Sequence, residues 1–485
     1  MRLRIPPSPT GLLHIGTVRT ALYNYLVAKK NNGTLVFRIE DTDKERGSAE
    51  FEKDIIDGLV KLGIAGDEGV HVGGKYGPYR QSERTEIYAN YLKELIDTEK
   101  AYFCFCSKET LEQKREAQMQ AKKPTRYDQT CRSLNADESK KRIENGESAV
   151  IRLKVNDDET IEWNDLVRGN IQIHSKELDD FVIARNLSDP LYHLTVVADD
   201  HDMEITHVIR GEDHISNTPK QILIFKAFGW NIPEFAHLPL ILNDDKTKLS
   251  KRKNKVSVDD YLNDGILPEA LLNFLALLGW NTADNQEIFS MDELIEKFSL
   301  DRVHKGGAVF DLKRLEWING EWIKRKITEN VYAFYETYHA FMPKNDPALV
   351  KQMLKDSDFE GRFKKLTDIQ PELSVFFDPL PEYPKELIMR EKFNITTEML
   401  SKVLTAAKKV MESIDWQMGD RSKHQTLFDG LVGIVEQLGL KNGQVLWPIR
   451  VALSGRENSP NFATLAIYLG KEESIKRLKN ALDQL

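Results

Sequence analysis

Only three cysteines occur among the 485 residues, too few to staple a secreted fold by disulfides. Long apolar runs are missing too. The longest, 271–280, falls far short of the ~20 residues that a membrane-spanning helix needs. An apolar strand starts by Leu3 and Ile5, which predicts no charged-then-apolar leader ahead of it. No Gly-x4-Gly-Lys-Ser/Thr run is present, so a phosphate loop of that type is excluded. Positive charge is in slight deficit, with 68 Lys and Arg against 76 Asp and Glu and a net charge of −8. That balance argues against a surface built wholly for nucleic acid, although local fields decide binding. Internal repeats and low-complexity tracts are absent. What is left, 41% hydrophobic and 30% charged, is a soluble, cytoplasmic, globular composition. At ~100–200 residues per domain it predicts three or so domains.

The first fifty residues read as strand, helix, strand. Leu3 to Ile5 is a short strand, and residues 35–39 (LVFRI) form a β-rich one. Between them Val18, Ala21, Leu22, Tyr25 and Leu26 make one helical stripe, closed by the turn formers Lys30-Asn-Asn-Gly33. This βαβ spacing favours a parallel sheet whose ligands bind at the carboxyl ends of the strands. From about Gly73 to Ser188 the pattern is mixed and reads as an insertion. Strand character then returns at 192–197 (YHLTVV) and 205–209 (ITHVI). Beyond Val256 the chain reads as helical. Clear cases are 268–278, the stripe Leu400, Val403, Leu404, Ala407, Met411, Ile414, and a last helix. For that helix Ser459-Pro460 supplies the start, Gly470 a stop, and Ile475, Leu478, Leu482 and Leu485 the final stripe.

Two short stretches carry chemistry. In Pro7-Ser-Pro-Thr-Gly-Leu-Leu-His-Ile-Gly16 a histidine stands at the mouth of the first helix. Unpaired N–H groups and the dipole there attract anions, and Gly16 removes the Cβ that would keep a planar base off the backbone. The alternative for a lone His beside Gly is a structural one. The second stretch, 246–255 (KTKLSKRKNK), holds six Lys or Arg in ten residues. It reads either as a solvated loop or as one that closes on a triphosphate. Its Lys248-Leu-Ser-Lys251 core offers cations for charge that builds up at the α-phosphorus.

Together these stretches resemble the "HIGH" and "KMSKS" motifs of class I aminoacyl-tRNA synthetases. Residues 37–43 (FRIEDTD), 77–84 (GPYRQSER) and 208–214 (VIRGEDH) narrow the resemblance to the glutamyl-tRNA synthetase family, over nearly the whole chain. It implies a Rossmann-type α/β class I catalytic domain with an acceptor-binding insertion, followed by an all-α anticodon-binding region. The implied segments are 1–72 and 189–255 for the two catalytic halves and 73–188 for the insertion. Residues 256–325 would contact the tRNA stem and 326–485 the anticodon. The implied activity is ATP-dependent ligation of L-glutamate to the 3′ end of tRNA(Glu) through a glutamyl-adenylate, with Mg²⁺ accompanying ATP, by a cytoplasmic monomer without membrane contact. Glutamyl-queuosine synthetase shares the catalytic half but lacks the helical module that the roughly 160 residues from Lys326 supply. An enzyme that also charges tRNA(Gln), a small-molecule nucleotidyltransferase and a silent relative are the other readings; intact His14 and Lys251 argue against silence.

Carried over by position, Thr10 and His14 contact ATP phosphates and Gly16 admits adenine. Lys251 stabilises the α-phosphate, with Lys248 and Ser250 positioning the loop. Arg4 and Arg210 read the substrate carboxylates, since guanidinium forks match carboxylates. Glu40 suits the α-ammonium group, Ser8 lies close by, and Tyr192 lines the pocket. The plain alternatives are Glu40 as a helix cap, Tyr192 as core, and Arg210 paired with Glu212 or Asp213. Thr17 replaces the motif's second histidine. Pro6 stands where many relatives carry alanine, which implies an altered strand end beside Arg4. Cys104, Cys106 and Cys131 crowd into 28 residues. Three thiolates suit a tetrahedral Zn²⁺ site short of one ligand, and the family's Cys-x-Cys, Tyr-x3-Cys pattern adds Tyr127. Ser133 stands where another version has histidine, and three reduced thiols are the alternative. Trp447 and Arg450 are among the candidate anticodon contacts.

Overall fold

Strand β1 (Arg2–Ile5) is buried on both faces after its first residue, as a parallel strand covered by helices must be. It pairs in parallel with β2 (Thr34–Phe37) in register Arg2↔Thr34 through Ile5↔Phe37. The pairing is uninterrupted, so Pro6 falls just past the ladder and leaves Arg4 in regular position. Helix Ile15–Lys30 makes the crossover, burying Val18, Ala21, Leu22 and Leu26, and β3 (Glu68–Gly69) adds to β2. The structure, a computed structural model, describes every residue except 44, 157, 248 and 250–256, and no side chain at 136 or 420.

The segment after β3 departs from the parallel pattern. Strands β4 (Ala101–Cys104), β5 (Val150–Leu153), β8 (Val182–Asn186) and β9 (Asp189–Pro190) form an antiparallel sheet in the order β4-β5-β8-β9. Strands β6 (Thr160–Asp165) and β7 (Gly169–His174) form a hairpin. The parallel architecture resumes with β10 (His207–Gly211) and β11 (Glu234–Leu238), in register His207↔Glu234 to Gly211↔Leu238. Thr206 N–H donates to the Arg2 carbonyl at 2.9 Å, which ties the approach to β10 onto β1.

Residues 192–197 are not a strand. They open the helix Tyr192–Asp202, whose residues Leu194 to Asp200 are all buried. A helix buried nearly all round loses its polar stripe, so its apolar run mimics a central strand.

Two compact units divide the chain: 1–263 with 268–318, and 264–267 with 319–485. The first is the α/β unit just described. It also includes helix Pro268–Leu277, on which the Tyr23 hydroxyl donates to the Ala276 carbonyl at 3.0 Å. The second is helical and has no strand among its described residues. Leu400, Leu404, Leu431, Ile449, Leu465 and Leu478 lie in its core, brought by helices Thr397–Ser413, Asp420–Leu438, Asn442–Ser454 and Phe462–Asp483. The last helix starts later than its sequence predicts. Asn461, not Ser459, is the cap; its Oδ1 accepts the N–H groups of Ala463 and Thr464 at 2.8 and 2.9 Å. Gly470 interrupts the same helix at φ +75°, a conformation that a side chain with a Cβ resists. No helix among the described residues is long and apolar enough to cross a membrane.

Candidate active site

The carboxyl ends of β1 and β10 open onto one cavity of about 400 Å³. Eight of the positions expected to contact the nucleotide or the amino acid lie within the described residues, and the cavity wall collects seven of them: Arg4, Ser8, His14, Gly16, Glu40, Tyr192 and Arg210. Thr17 is in the wall as well, whereas Thr10 is exposed and outside it. Lys248, Ser250 and Lys251 lie outside the described residues. Leu249 between them is buried and lines the cavity, its N–H donating to the Ile241 carbonyl at 3.0 Å. Past the loop, Ser257 bridges to His14, and the Val258 N–H donates to the Leu13 carbonyl at 3.2 Å. Leu249 and Ser257, on either side of residues 250–256, therefore both meet residues of this site.

His14 is the N-cap of helix Ile15–Lys30, and its Nδ1 accepts the Gly16 N–H at 2.9 Å. An accepting Nδ1 carries no proton, so the ring's N–H is on Nε2. A Cβ on Gly16 would approach that Nδ1 to 3.1 Å. Glycine here serves the histidine as well as an incoming planar group. The Pro7–Thr10 segment is stitched to the following strand by the Glu40 N–H, which donates to the Pro7 carbonyl at 3.0 Å.

Beneath the cavity lies a buried charge network. Arg4 Nε donates to Asp200 Oδ1 at 3.2 Å, and Arg38 Nη1 donates to the same oxygen at 2.5 Å. Arg38 Nη2 also donates to Glu40 at 3.0 Å. Asp199 next door accepts from Gln81, Arg84 and Tyr88 at 2.7–2.8 Å. Burial works to raise the Asp200 carboxyl, but Arg38 and Arg4 outweigh it and hold it below the usual carboxylate range. Glu40 goes the other way, raised by burial against the pull of Arg38 and Arg4. Glu40 is thus held by an arginine at a strand end and caps no helix.

Arg210 stands apart. It is 5% exposed and makes no ion pair with a carboxylate among the described residues; Glu212 pairs instead with Arg168. Its Nη2 donates to Thr218 Oγ1 at 2.9 Å and its Nε to His237 Nε2 at 3.2 Å. Burial lowers the guanidinium to about 10. The Nη1 atoms of Arg4 and Arg210 are both buried without a hydrogen-bond partner among the described residues. Opposite them the Tyr192 hydroxyl meets His214 Nδ1 at 3.1 Å. Burial pushes that phenol up to about 12 and His214 down to about 4.

A second cluster forms at β4. The ligand atoms of Cys104, Cys106 and Cys131 all lie within 4.8 Å of one another. The Tyr127 hydroxyl reaches Cys104 Sγ at 3.3 Å and Cys106 Sγ at 3.8 Å, and accepts the Cys131 N–H at 3.0 Å. Three sulfurs and one oxygen converge, a donor set that suits tetrahedral Zn²⁺. Ser133 is exposed.

Residues 1–317 match the family described as tRNA synthetases class I (E and Q), catalytic domain, and residues 332–482 match an anticodon binding domain. The chain is 41% identical over 489 residues to a glutamate–tRNA ligase of Carboxydothermus hydrogenoformans, covering 99% of both chains. The chain belongs to the class I glutamate–tRNA ligase family. Its identity to glutamate–tRNA ligase 2 of Caldicellulosiruptor saccharolyticus is 38% over 492 residues, 100% of this chain and 99% of the other. A crystal structure of a glutamate tRNA ligase from Elizabethkingia meningosepticum, in complex with its amino acid, matches with a TM-score of 0.87 at 35% identity. It covers 100% of this chain and 99% of that one.

In this synthetase several wall and floor residues escape a sequence reading. Arg38 and His214 sit inside stretches that carry the resemblance, yet nothing local distinguishes their roles. Asp199-Asp200 closing an apolar run is a readable signal, because paired carboxylates are seldom buried without cations. Behind Arg210, His237 and the Asp165 carboxylate that meets its Nδ1 give no such signal. Trp447 and Arg450 are engaged within the helical unit: the indole N–H donates to the Leu387 carbonyl at 2.8 Å, and Arg450 Nη2 to the Glu457 carbonyl at 2.8 Å.

Proposed function

We propose that this synthetase joins L-glutamate to the 3′ end of tRNA(Glu) in two ATP-driven steps. First, an oxygen of the glutamate α-carboxylate bonds to the α-phosphorus of ATP as the bond to pyrophosphate breaks, giving glutamyl-adenylate. Then a ribose hydroxyl of the terminal adenosine attacks the acyl carbon, AMP departs with the bonding electrons, and the hydroxyl proton passes to solvent. The observation that carries this reading is the pair of buried Nη1 atoms on Arg4 and Arg210, without a hydrogen-bond partner among the described residues, in one cavity with the His14–Gly16 helix mouth.

The described cavity residues have roles that their surroundings support. Arg4 and Arg210 receive carboxylates. A neutral amide would leave a desolvated cation unmatched, which favours glutamate over glutamine. Glu40 and the Tyr192 hydroxyl face the α-ammonium end. His14 donates its Nε2 proton to a phosphate oxygen, and Gly16 lets adenine lie on the backbone. Lys251, with Lys248 and Ser250, brings positive charge to the α-phosphate as it becomes more negative. Thr10 stays without an assigned contact. Mg²⁺ accompanies ATP and neutralises its phosphate oxygens. Zn²⁺ held by Cys104, Cys106, Cys131 and Tyr127 would clamp β4 to the 127–131 segment and so stiffen the insertion. Residues 73–188 are assigned to the acceptor end of tRNA, 256–325 to its stem and 326–485 to the anticodon, in a cytoplasmic monomer.

Aminoacylation with tRNA(Glu) and tRNA(Gln), each with glutamate and glutamine, tests the proposal. Glutamate transfer to tRNA(Glu) is the expected result, and its absence sinks the reading. Transfer to tRNA(Gln) as well would assign the non-discriminating type.

A further inference from the structure

The β10–β11 register places Arg210 directly opposite His237. His237 is fully buried, and its Nδ1 lies 2.5 Å from Oδ2 of Asp165, whose side chain is also fully buried. Asp165 ends β6, where exposed and buried positions alternate and Ile161, Trp163 and Asp165 point inward. A carboxylate therefore occupies a position that the pleat reserves for the core. Its other oxygen, Oδ1, accepts three backbone N–H groups, from Val167, Arg168 and His237, at 3.1, 2.9 and 3.2 Å. Those donors fix the carboxylate in place.

The hydrogen-bond inventory then sets the histidine's tautomer. A carboxylate accepts only, so His237 must donate from Nδ1, and Nε2 is left as an acceptor. That acceptor receives Arg210 Nε–H at 3.2 Å. Thr218 Oγ1, which accepts from Arg210 Nη2, lies 3.1 Å from the same Nε2. Two of the three guanidinium nitrogens are thus held by neutral acceptors.

We propose that Asp165 and His237 are positioning residues for substrate selection. The Asp165–His237 pair orients Arg210 through a neutral acceptor and leaves it without a directly bonded carboxylate among the described residues, so that a substrate carboxylate becomes its direct partner. A carboxylate in the place of His237 would orient the guanidinium equally well but neutralise it, weakening its demand for an anion. Burial acts in the same sense, favouring the uncharged imidazole. The assignment rests on the reading of Arg210 as a glutamate contact. It gives the β6–β7 hairpin of the insertion a share in the amino-acid pocket.

The test uses the full chain. In Asp165→Asn the amide oxygen is held by the three backbone N–H groups, so its NH₂ faces His237 Nδ1. The imidazole proton is driven to Nε2, donor against donor with Arg210. The expected result in aminoacylation is a glutamate KM raised roughly 10- to 100-fold, the loss of a hydrogen bond to a charged group, with the ATP KM within about twofold. His237→Gln, which can offer an amide oxygen to Arg210, should recover most of the glutamate KM that His237→Leu loses. ¹⁵N-histidine spectra should show His237 protonated at Nδ1 in the wild type and at Nε2 in Asp165→Asn. Nε2 protonation in the wild type overturns the proposal. So does an unchanged glutamate KM in folded Asp165→Asn, or equal loss in the Gln and Leu variants. Arg210→Ala separates the two readings. If it leaves the glutamate KM unchanged, the site reading fails, whatever tautomer His237 shows.

Discussion

Replacing Asp200 by alanine takes a carboxylate from two buried guanidinium groups and strands one of them. Asp200 is 3% exposed and is shared by Arg4 at 3.2 Å and Arg38 at 2.5 Å. Without it Arg38 keeps Glu40 at 3.0 Å and Asp199 at 3.7 Å, whereas Arg4 loses its sole carboxylate among the described residues. Removing one partner of a buried pair costs about 3–5 kcal/mol, because the remaining charge stays desolvated. The ratio of folded to unfolded α/β unit should fall by roughly 10²- to 10⁴-fold. Hydrogen exchange of peptides covering β1 and β2, together with urea unfolding, reads that loss directly. The Arg4→Met/Asp200→Ala double variant should recover part of it, since one stranded cation is gone and an apolar side chain fills its place. Asp200 is held below its ordinary range when folded. Its stabilising contribution is therefore present above the unfolded pKa near ~3.9 and disappears as pH falls through the folded value. Below that value the wild type and Asp200→Ala should converge. A loss under ~1 kcal/mol, or an additive double variant, would show that the network is surface-like in energy and refute the reasoning.

Four further outcomes are expected. His14→Ala should lose the helix cap, about 0.5–2 kcal/mol, and most of the adenylation rate; His14→Asn should restore the melting temperature but not the rate, and recovery of both would reduce His14 to a cap. Lys251→Ala should slow adenylate formation by orders of magnitude while tRNA affinity, read by filter binding, changes little; equal loss of both points to misfolding. Metal analysis should find one zinc per chain, falling well below that in Cys131→Ser, and a zinc-free wild type would leave three reduced thiols. His193 and His214 are both lowered by burial to about 4, below the unfolded value near 6.5. The unfolded chain binds the extra protons in that interval, so stability should decline as pH falls from ~6.5 to ~4, and His193→Phe should flatten the decline.

Local pattern was enough for the elements whose signals are short-range. The stripes from Val18 to Leu26 and from Leu400 to Met411 repeat at the helical period, the turn formers at 30–33 close the first, and the helices are there. Residues 192–197, which open the helix Tyr192–Asp202, read as strand because burial on nearly all sides erases periodicity. The start at Ser459 failed because Asn461 is the better-placed acceptor, two residues on. Within the site, His14 and Gly16 were legible because helix-mouth chemistry is local. The resemblance pointed to Arg4, Glu40 and Arg210, but not to what holds them.

The order of residues by itself determined the α/β front, the helical back, the helix-mouth histidine and the basic loop, since each depends on neighbours a few positions apart. Only the tertiary structure decided which charges meet. Asp200 reaches Arg4 across 196 positions and His237 reaches Asp165 across 72. Whether a buried arginine has a carboxylate or a histidine as its direct partner turns on such long-range contacts. Arg4 and Arg210 look alike in the sequence. Burial beside a carboxylate in one case, and beside a histidine in the other, makes them different.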